Sequence, residues 1–356
     1  MGVFYFCTMI DYIIVGSGLA GIAFAETALN HNKSILVFDN HSQNSSTVAG
    51  GLYNPVILKR FSKLQQAQEQ LDLLQEFYHT VETKLDSKFN FKMPVLRKFF
   101  SVEEQNNWFA ASDKPGLSPF LSTTLISKKY DGIDSPFGFG EVMQTGYVDT
   151  AFLLDLYQDY LKQQGWFIEG PFDYNGLTFK ENNIQYEGVK ARQIVFCEGF
   201  GLHANPFFNH LPLDGTKGEL LLVKAPGLKL DAIVNASVFI LPLGNDLFKI
   251  GATYNWDDKT DLITEAGKAE LIEKIKEILN CDFEIVEHLA GVRPTVKDRR
   301  PLLGTHPDHP RVHILNGLGT RGVMLGPFMA KILFDHIEFG KSIDRENNIS
   351  RFEKRH

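Results

Sequence analysis

DYIIVGSGLAGIAFAETALNHNKSILVFDN, residues 11–40, decides the fold. An apolar run gives way to a glycine turn, then to apolar residues at helical spacing (Leu19, Ile22, Ala23 and Leu29), then to a second apolar run closed by an acid. Tyr12 to Asp39 therefore reads as strand, turn, helix and strand, one βαβ unit. Gly16, Gly18 and Gly21 form GxGxxG directly after the strand and before the helix, the context that separates a dinucleotide fingerprint from a chance match. Gly16 permits the tight turn, Gly18 lets backbone approach a pyrophosphate, and Gly21 allows the helix to pack closely on the strand, with Ser17, Leu19 and Ala20 completing the loop. The helix start offers unpaired N–H groups and the positive end of its dipole to phosphates. Asp39, followed by Asn40, stands at the spacing of a ribose-binding carboxylate, and an acid there disfavours a 2′-phosphate. The blander alternative is a glycine turn with Asp39 capping a loop. The fingerprint alone does not choose between FAD and NAD.

With 356 residues the chain can form about two structural units. A net charge of −7 provides no global basic field, so a nucleic acid would need a local patch, and a small-molecule substrate is expected. Cys7, Cys197 and Cys281 are odd in number and lack CxxC spacing, which supports neither a disulfide framework nor a zinc site. His203, His306, His309 and His313 share no metal spacing and accompany no nucleophile motif, so no metal is expected. A reducing cytoplasm fits this composition. The apolar opening MGVFYFCTMI has no cationic segment and runs straight into a strand, unlike a cleaved leader, and Met9 is an alternative start. No apolar run reaches the roughly 20 residues of a membrane span.

Residues 41–54, rich in Ser, Asn and Gly, read as a loop ending in AGGLYNP (49–55). SKLQQAQEQLDLLQEFYHTVETKL (62–85) reads as a helix of another lobe, and TAFLLDLYQDYLKQQG (150–165) as a helix ending on glycine. QIVFCEGFG (193–201) is a buried strand entering a glycine turn. Strand-like runs between Gly218 and Tyr254 suggest an antiparallel sheet. AELIEKIKEIL (269–279) precedes GVRPTVKDRRPLLG (291–304), then the strand VHILNG (312–317) and a last helix, GVMLGPFMAKILFDHIEF (322–339). With no free linker in view, the fold expected is α/β plus α+β. A Rossmann-like nucleotide domain (1–55, 146–210 and 290–356) is interleaved with an antiparallel-sheet substrate domain (56–145 and 211–289).

AGGLYNP, GYVDT (146–150), FCEGFG (196–201), GVRPTVKDRRPLLG and NGLGTRGVMLGP (316–327), with the fingerprint, follow one another as in a known family. The chain resembles the FAD-dependent amine and amino-acid oxidoreductases of the D-amino-acid, glycine and sarcosine oxidase family over nearly its whole length. GGLYNP, GATYNWDD (251–258) and GLGTRG (317–322) are most similar to the oxidoreductase domain that acts on carboxymethylaminomethyl-uridine in tRNA.

The resemblance implies noncovalent FAD, with Thr47, Ala49, Gly50, Gly51 and Leu52 lining the flavin. It implies that Gly317, Leu318, Gly319, Thr320, Gly322, Val323 and Met324 present backbone N–H groups to the pyrimidine oxygen. Glu198 and Gly199 replace the family's small pair near the adenine, the glutamate being a departure. Arg293 matches the arginine that forks onto a substrate carboxylate, a task suited to a planar guanidinium, against the alternative of a structural salt bridge. Arg321 is placed to meet substrate or flavin, or to act structurally. Lys249 falls where sarcosine oxidases carry an oxygen-activating lysine, although alternation with Phe248 and Ile250 favours a solvent-facing side chain. Phe239 falls near a substrate-contacting tyrosine of glycine oxidases, and Tyr53 and Tyr254 are candidate aromatic walls of a substrate pocket.

The activity implied is oxidation of a C–N bond in a small amino acid or secondary amine, by hydride transfer to flavin N5. Three alternatives stay open. The chain could act on tRNA wobble uridine, bind flavin without turnover, or pass electrons to a quinone at a membrane surface.

Overall fold

The computed structural model describes residues 9–353, so Cys7 and most of the apolar opening, with the reading of it as other than a leader, lie outside the described residues. Five parallel strands form the centre of the first sheet. In chain order they are Ile10–Val15, Ile35–Asp39, Phe167–Glu169, Val189–Phe196 and Val312–Asn316, and they lie in space as third, second, first, fourth, fifth. This is the doubly wound order in which a ligand crevice opens beyond the carboxyl ends of the first and fourth strands, where the winding reverses. Tyr12, Ile13 and Ile14 are all 0% exposed, which explains an unbroken apolar run in place of alternation: both faces of the sheet are covered. Leu302–Thr305 extends the sheet antiparallel to Val312–Asn316.

Helix Leu19–Asn30 and the last helix, Gly322–Phe339, pack side by side over one face of this sheet. A β-carbon on Gly326 would lie 3.4 Å from the carbonyl of Leu19, so small residues set that separation. The helix at Ala67–Leu85, expected from sequence in another lobe, lies against the last helix instead. Its buried side, Leu71, Leu74, Tyr78 and Val81, shares one core with Phe24, Met329 and Phe334, and the Tyr78 hydroxyl donates to the Val323 carbonyl at 3.0 Å.

The second sheet has eight strands in the order Glu284–Arg293, Thr216–Lys224, Leu247–Gly251, Phe239–Gly244, Ile233–Asn235, Val95–Lys98, Phe139–Val142 and Leu121–Ile126. The three runs read from sequence between Gly218 and Tyr254 do pair antiparallel, but a further strand there, Ile233–Asn235, which pairs antiparallel with Phe239–Gly244, lies parallel to Val95–Lys98, making the whole sheet mixed. Glu284–Arg293 pairs along its length with Thr216–Lys224 and ends with Arg293 opposite Thr216. Among the described residues no helix is long and apolar enough to cross a membrane.

The first unit and the 67–85 helix are joined by a buried charge. Glu26 is fully buried and accepts from Lys84 Nζ at 2.6 Å and from the Tyr157 hydroxyl at 2.8 Å. Glu26→Ala strands both donors and is expected to lower unfolding free energy by about 2–3 kcal/mol, below the range for a fully enclosed pair because Lys84 keeps a path to water. Denaturant unfolding checks this, and Glu26→Gln should cost less.

Candidate active site

A cavity of about 810 Å³ runs from the first glycine turn to the end of the second sheet. Gly16 turns the chain at φ +100°, and a β-carbon there would meet the Cys197 carbonyl at 2.5 Å, so only glycine lets the first and fourth strand ends come together. Gly18 caps the helix without a side-chain hydrogen bond, leaving helix-start N–H groups toward the cavity, while Leu19 N donates to Ser46 Oγ at 3.3 Å. Asp39 accepts from the Ser17 hydroxyl at 2.6 Å and from His41 N at 2.7 Å, and Ser17 is itself held by Gln158 Nε2 at 2.8 Å. Gly16, Gly18, Leu19, Ala20, Asp39 and Asn40 line this end; buried Ser17 and Gly21 support it from behind.

The middle of the cavity is walled by Val48, Ala49, Gly50, Gly51 and Leu52. Gly51 has φ +72°, and a β-carbon there would lie 1.9 Å from the Val148 carbonyl. Thr47 does not face the cavity: residues 45–48 form a short helix, not open loop, and its hydroxyl turns back to the Asn44 carbonyl at 2.8 Å, which leaves Ser45 and Ser46 on the lining side. Tyr53 is also not a wall. It is 1% exposed with its hydroxyl accepting from Gln75 at 3.2 Å, because Leu52–Tyr53 is a strand and the two neighbours that line the cavity, Leu52 and Asn54, take its opposite face.

Opposite, Leu318, Gly319, Thr320, Arg321, Gly322 and Val323 line the cavity at the uncapped start of the last helix. Gly317 is set back, with its amide on Asn316 Oδ1 at 2.7 Å, and Met324 is buried in the core. Arg321 is half-buried, and desolvation lowers its pKa.

Glu198 and Gly199 line the cavity beyond the fourth strand. Glu198 is held by the Tyr174 hydroxyl and by Asn205 Nδ2, the latter at 2.7 Å, and burial pushes its pKa up to about 7 against the lowering effect of those donors. His313 sits within the sheet on Thr305 and Gln193, its pKa pushed down to about 3 by burial, as a packing residue.

Arg293 reaches the far end. Its Nη1 donates to the carbonyls of Lys217 and Thr253, each at 3.3 Å, and the guanidinium lies 4.6 Å from the centre of the Tyr254 ring. A β-carbon on Gly218 would be 1.9 Å from Nη2, so the glycine makes room for the fork. Among the described residues Arg293 has no carboxylate partner, which removes the salt-bridge alternative, and burial lowers its pKa. Tyr254 and Phe239 both line the cavity. Lys249 is not solvent-facing: its Nζ donates to the Ala49 carbonyl at 3.2 Å behind the glycine wall, and burial lowers its pKa. The strand's second face is covered too, so alternation misreads it.

Gln158, Ser46, Tyr174, Asn205 and Gly218 were not singled out from sequence. Only Gly218 carried a signal, a glycine inside a strand, which marks a close approach.

A family model described as FAD dependent oxidoreductase (DAO) matches residues 11–336. The chain belongs to this family. Glycine oxidase of Bacillus subtilis (strain 168) is 21% identical over 352 residues, with 92% of each chain covered. The tRNA 5-methylaminomethyl-2-thiouridine biosynthesis bifunctional protein MnmC of Marinobacter nauticus is 22% identical over 355 residues, covering 91% of this chain and 55% of that protein, so the chain spans about half its length. Glycine oxidase from Geobacillus kaustophilus superimposes with a TM-score of 0.73 at 17% identity, covering 98% of this chain and 99% of the other. Iminodiacetate oxidase from Chelativorans sp. BNC1 gives 0.75 at 16% identity, covering 95% and 98%. At such identities these structures show the shared fold alone.

The DAO chain is an FAD-dependent oxidoreductase, with FAD held noncovalently. The cavity fits that group: bare backbone at Gly16 and Gly51, uncapped N–H groups at two helix starts, and a hydroxyl-accepting acid at Asp39. Gly51→Ala would drive a β-carbon into Val148 and is expected to weaken FAD affinity at least tenfold, read by titrating FAD into apoprotein, while circular dichroism shows the fold retained.

Glu198 supplies a pH test. Its pKa is raised on folding from 4.5 to about 7, so between those values the native state keeps a proton that the unfolded chain has released, and stability falls as pH rises. Glu198→Gln removes this proton uptake. The melting temperature of the unsubstituted protein, relative to Glu198→Gln, should fall as pH rises from about 5 to 7 and level off above.

Proposed function

We propose that the chain oxidises a C–N bond in a small amino acid or secondary amine that carries a carboxylate. The observation that carries this reading is Arg293: a half-buried guanidinium in the cavity, fixed by two carbonyls through one nitrogen, with no carboxylate among the described residues on its remaining donors. A planar fork so held matches the two oxygens of a carboxylate. Tyr254 stacks on its face and stiffens it.

Bound FAD supplies the acceptor for the two electrons and the hydrogen that leave the substrate carbon. The chain's part is placement and environment. Arg293 fixes the carboxylate and thereby the direction of the amine. Leu52, Val238 and Phe239 cover the cavity with apolar surface and keep water from the reacting carbon. The uncapped N–H groups at Gly322 and the Lys249 ammonium behind Ala49 set a positive potential around the glycine wall. No side chain is required as a general base, because the neutral amine is drawn from solution, and the imine product hydrolyses to a carbonyl compound and an amine.

A second reading, action on the carboxymethylaminomethyl group of a tRNA uridine, is favoured by the rim. Tyr254 is 59% exposed and Trp256 41% exposed, and Arg299 lies 5.6 Å from the Trp256 ring centre, an aromatic and cationic edge on which a base could stack. Asp257, Asp258 and Asp261 share that loop and oppose a polyanion.

Anaerobic bleaching of the flavin by a panel of amino acids, N-methylated amines and modified tRNA separates the two. Bleaching by glycine or sarcosine supports the first reading, and bleaching by tRNA alone the second. Arg293→Ala is expected to raise KM for carboxylated amines at least 100-fold with FAD content unchanged, and Arg293→Lys to recover only part, since one ammonium cannot fork. Unchanged steady-state kinetics in Arg293→Ala would remove the assignment.

A further inference from the structure

Arg293 keeps its direction through acceptors on two segments, the carbonyl of Lys217 in the strand Thr216–Lys224 and that of Thr253 just after the strand Leu247–Gly251. The two are held together where the chain after Thr253 folds back on the first of these strands. Lys217 N donates to the Asn255 carbonyl at 2.9 Å and Asn255 N to the Lys217 carbonyl at 3.0 Å, so one carbonyl serves Asn255 and the guanidinium together. Tyr254, whose ring stacks on the fork, stands between Thr253 and Asn255. Whatever fixes residues 253–264 therefore fixes the aim of Arg293.

Two buried charges do so, and alternation explains where they point. Gly218 and Leu220 line the cavity, with the bare Gly218 making room for Arg293, so Lys217 and Glu219 take the opposite face of the strand. The Lys217 side chain is 0% exposed and its Nζ donates to Asp258 and, at 3.3 Å, to Thr260 Oγ1. Asp258 also accepts from Thr260 N at 2.8 Å and from Thr260 Oγ1 at 2.7 Å, while Asn255 Oδ1 accepts from the amides of Asp257 and Asp258. Glu219 is buried as well and accepts from Thr264 N at 2.9 Å and Thr264 Oγ1 at 2.7 Å, with His288 Nε2 2.7 Å away. One strand thus receives the guanidinium on its cavity face and clamps the loop at 258–264 on its other face. A buried ion pair gives little net stability over apolar side chains of the same volume; what it supplies is geometry.

We propose that Asp258, acting through Lys217 and the loop the pair anchors, is a positioning residue for the carboxylate fork. The inference rests on the reading of Arg293 given under Proposed function and deepens it by naming what aims that side chain. Neither Lys217 nor Asp258 lines the cavity, so neither touches substrate or FAD. Loss of the Asp258 charge frees the loop, and with it the Thr253 carbonyl and the Tyr254 ring that hold the fork.

The holoenzyme tests this with ethoxyacetate, an unreactive ether bearing one carboxylate, titrated against the flavin absorption spectrum. Asp258→Asn keeps the side-chain shape and is expected to weaken ethoxyacetate roughly 10-fold, within what misplacement of a positioning group costs, with FAD affinity unchanged. Asp258→Glu should recover part of the loss. In an Arg293→Lys background the Asp258→Asn change should make little difference, because a point-like ammonium has no fork to aim. Thr260→Val, which removes one acceptor of Lys217 and one donor to Asp258, should show the same pattern at smaller size, and it carries the test if Asp258→Asn fails to fold.

Full ethoxyacetate affinity in Asp258→Asn overturns the inference. So does an equal loss in the Arg293→Lys background, or a loss matched by weaker FAD binding, since the acid would then support the chamber as a whole. Failure of the underlying reading looks different and removes this inference with it: Arg293→Ala would leave ethoxyacetate binding unchanged.

Discussion

The Cys197 carbonyl lies 2.5 Å from where a β-carbon on Gly16 would stand, so the fourth strand's end and the turn after the first can meet only as bare backbone. That contact fixes where the winding of the parallel sheet reverses, and it opens the crevice beyond those strand ends. Gly51 against Val148 does the same for the wall at mid-cavity, joining the loop after the second strand to the short strand at Gly146–Val148. A trough long enough for a dinucleotide exists because two crossings of the chain carry no side chain at all. Everything polar in the site is then a matter of which side chains are hung along it.

Those side chains come from separate layers. Asp39 closes a parallel strand, Arg321 opens the last helix, and Arg293 ends the longest strand of the second sheet. The mixed sheet therefore delivers the carboxylate fork to a cavity whose other end belongs to the doubly wound sheet. Burial acts in opposite directions on the two kinds of group: it raises the pKa of Glu198 and lowers those of Arg293, Arg321 and Lys249. A guanidinium stays charged under any such lowering, so Arg293 remains an unmet demand for an anion, whereas Glu198 can relieve its burial by keeping its proton.

The first βαβ unit was legible because its signals are local: an apolar run, three spaced glycines and an acid all lie within residues 12–39. Family motifs supplied the order of the later segments, and Arg293, which they single out, lines the cavity. What escaped depends on neighbours distant in the chain. Tyr53 lies in a two-residue strand, too short for alternation to declare a face, and its ring packs into a core built from distant segments, with Gln75 on a helix donating to its hydroxyl. Lys249 alternates as a surface lysine should, yet the glycine wall of the other unit lies over it. The parallel pairing of Ile233–Asn235 with Val95–Lys98 joins segments more than 130 residues apart and leaves no local trace. Gln158 has no signal either, since its role is to hold Ser17 from a helix that the nucleotide motif does not include.

Glu198 shows how a departure from a motif can be accommodated without changing the fold. A carboxylate added near a phosphate-binding loop should repel the ligand, yet this one is drawn onto Tyr174 and Asn205 and favoured in its neutral form by burial. Tyr174 follows the third parallel strand and Asn205 follows the turn after the fourth, so the acid clasps two segments that flank the nucleotide end. An alanine or glycine there would leave the segments linked only by packing. The extra acid thus trades a potential repulsion for cross-linking, with burial favouring the neutral carboxyl while its two donors favour the carboxylate.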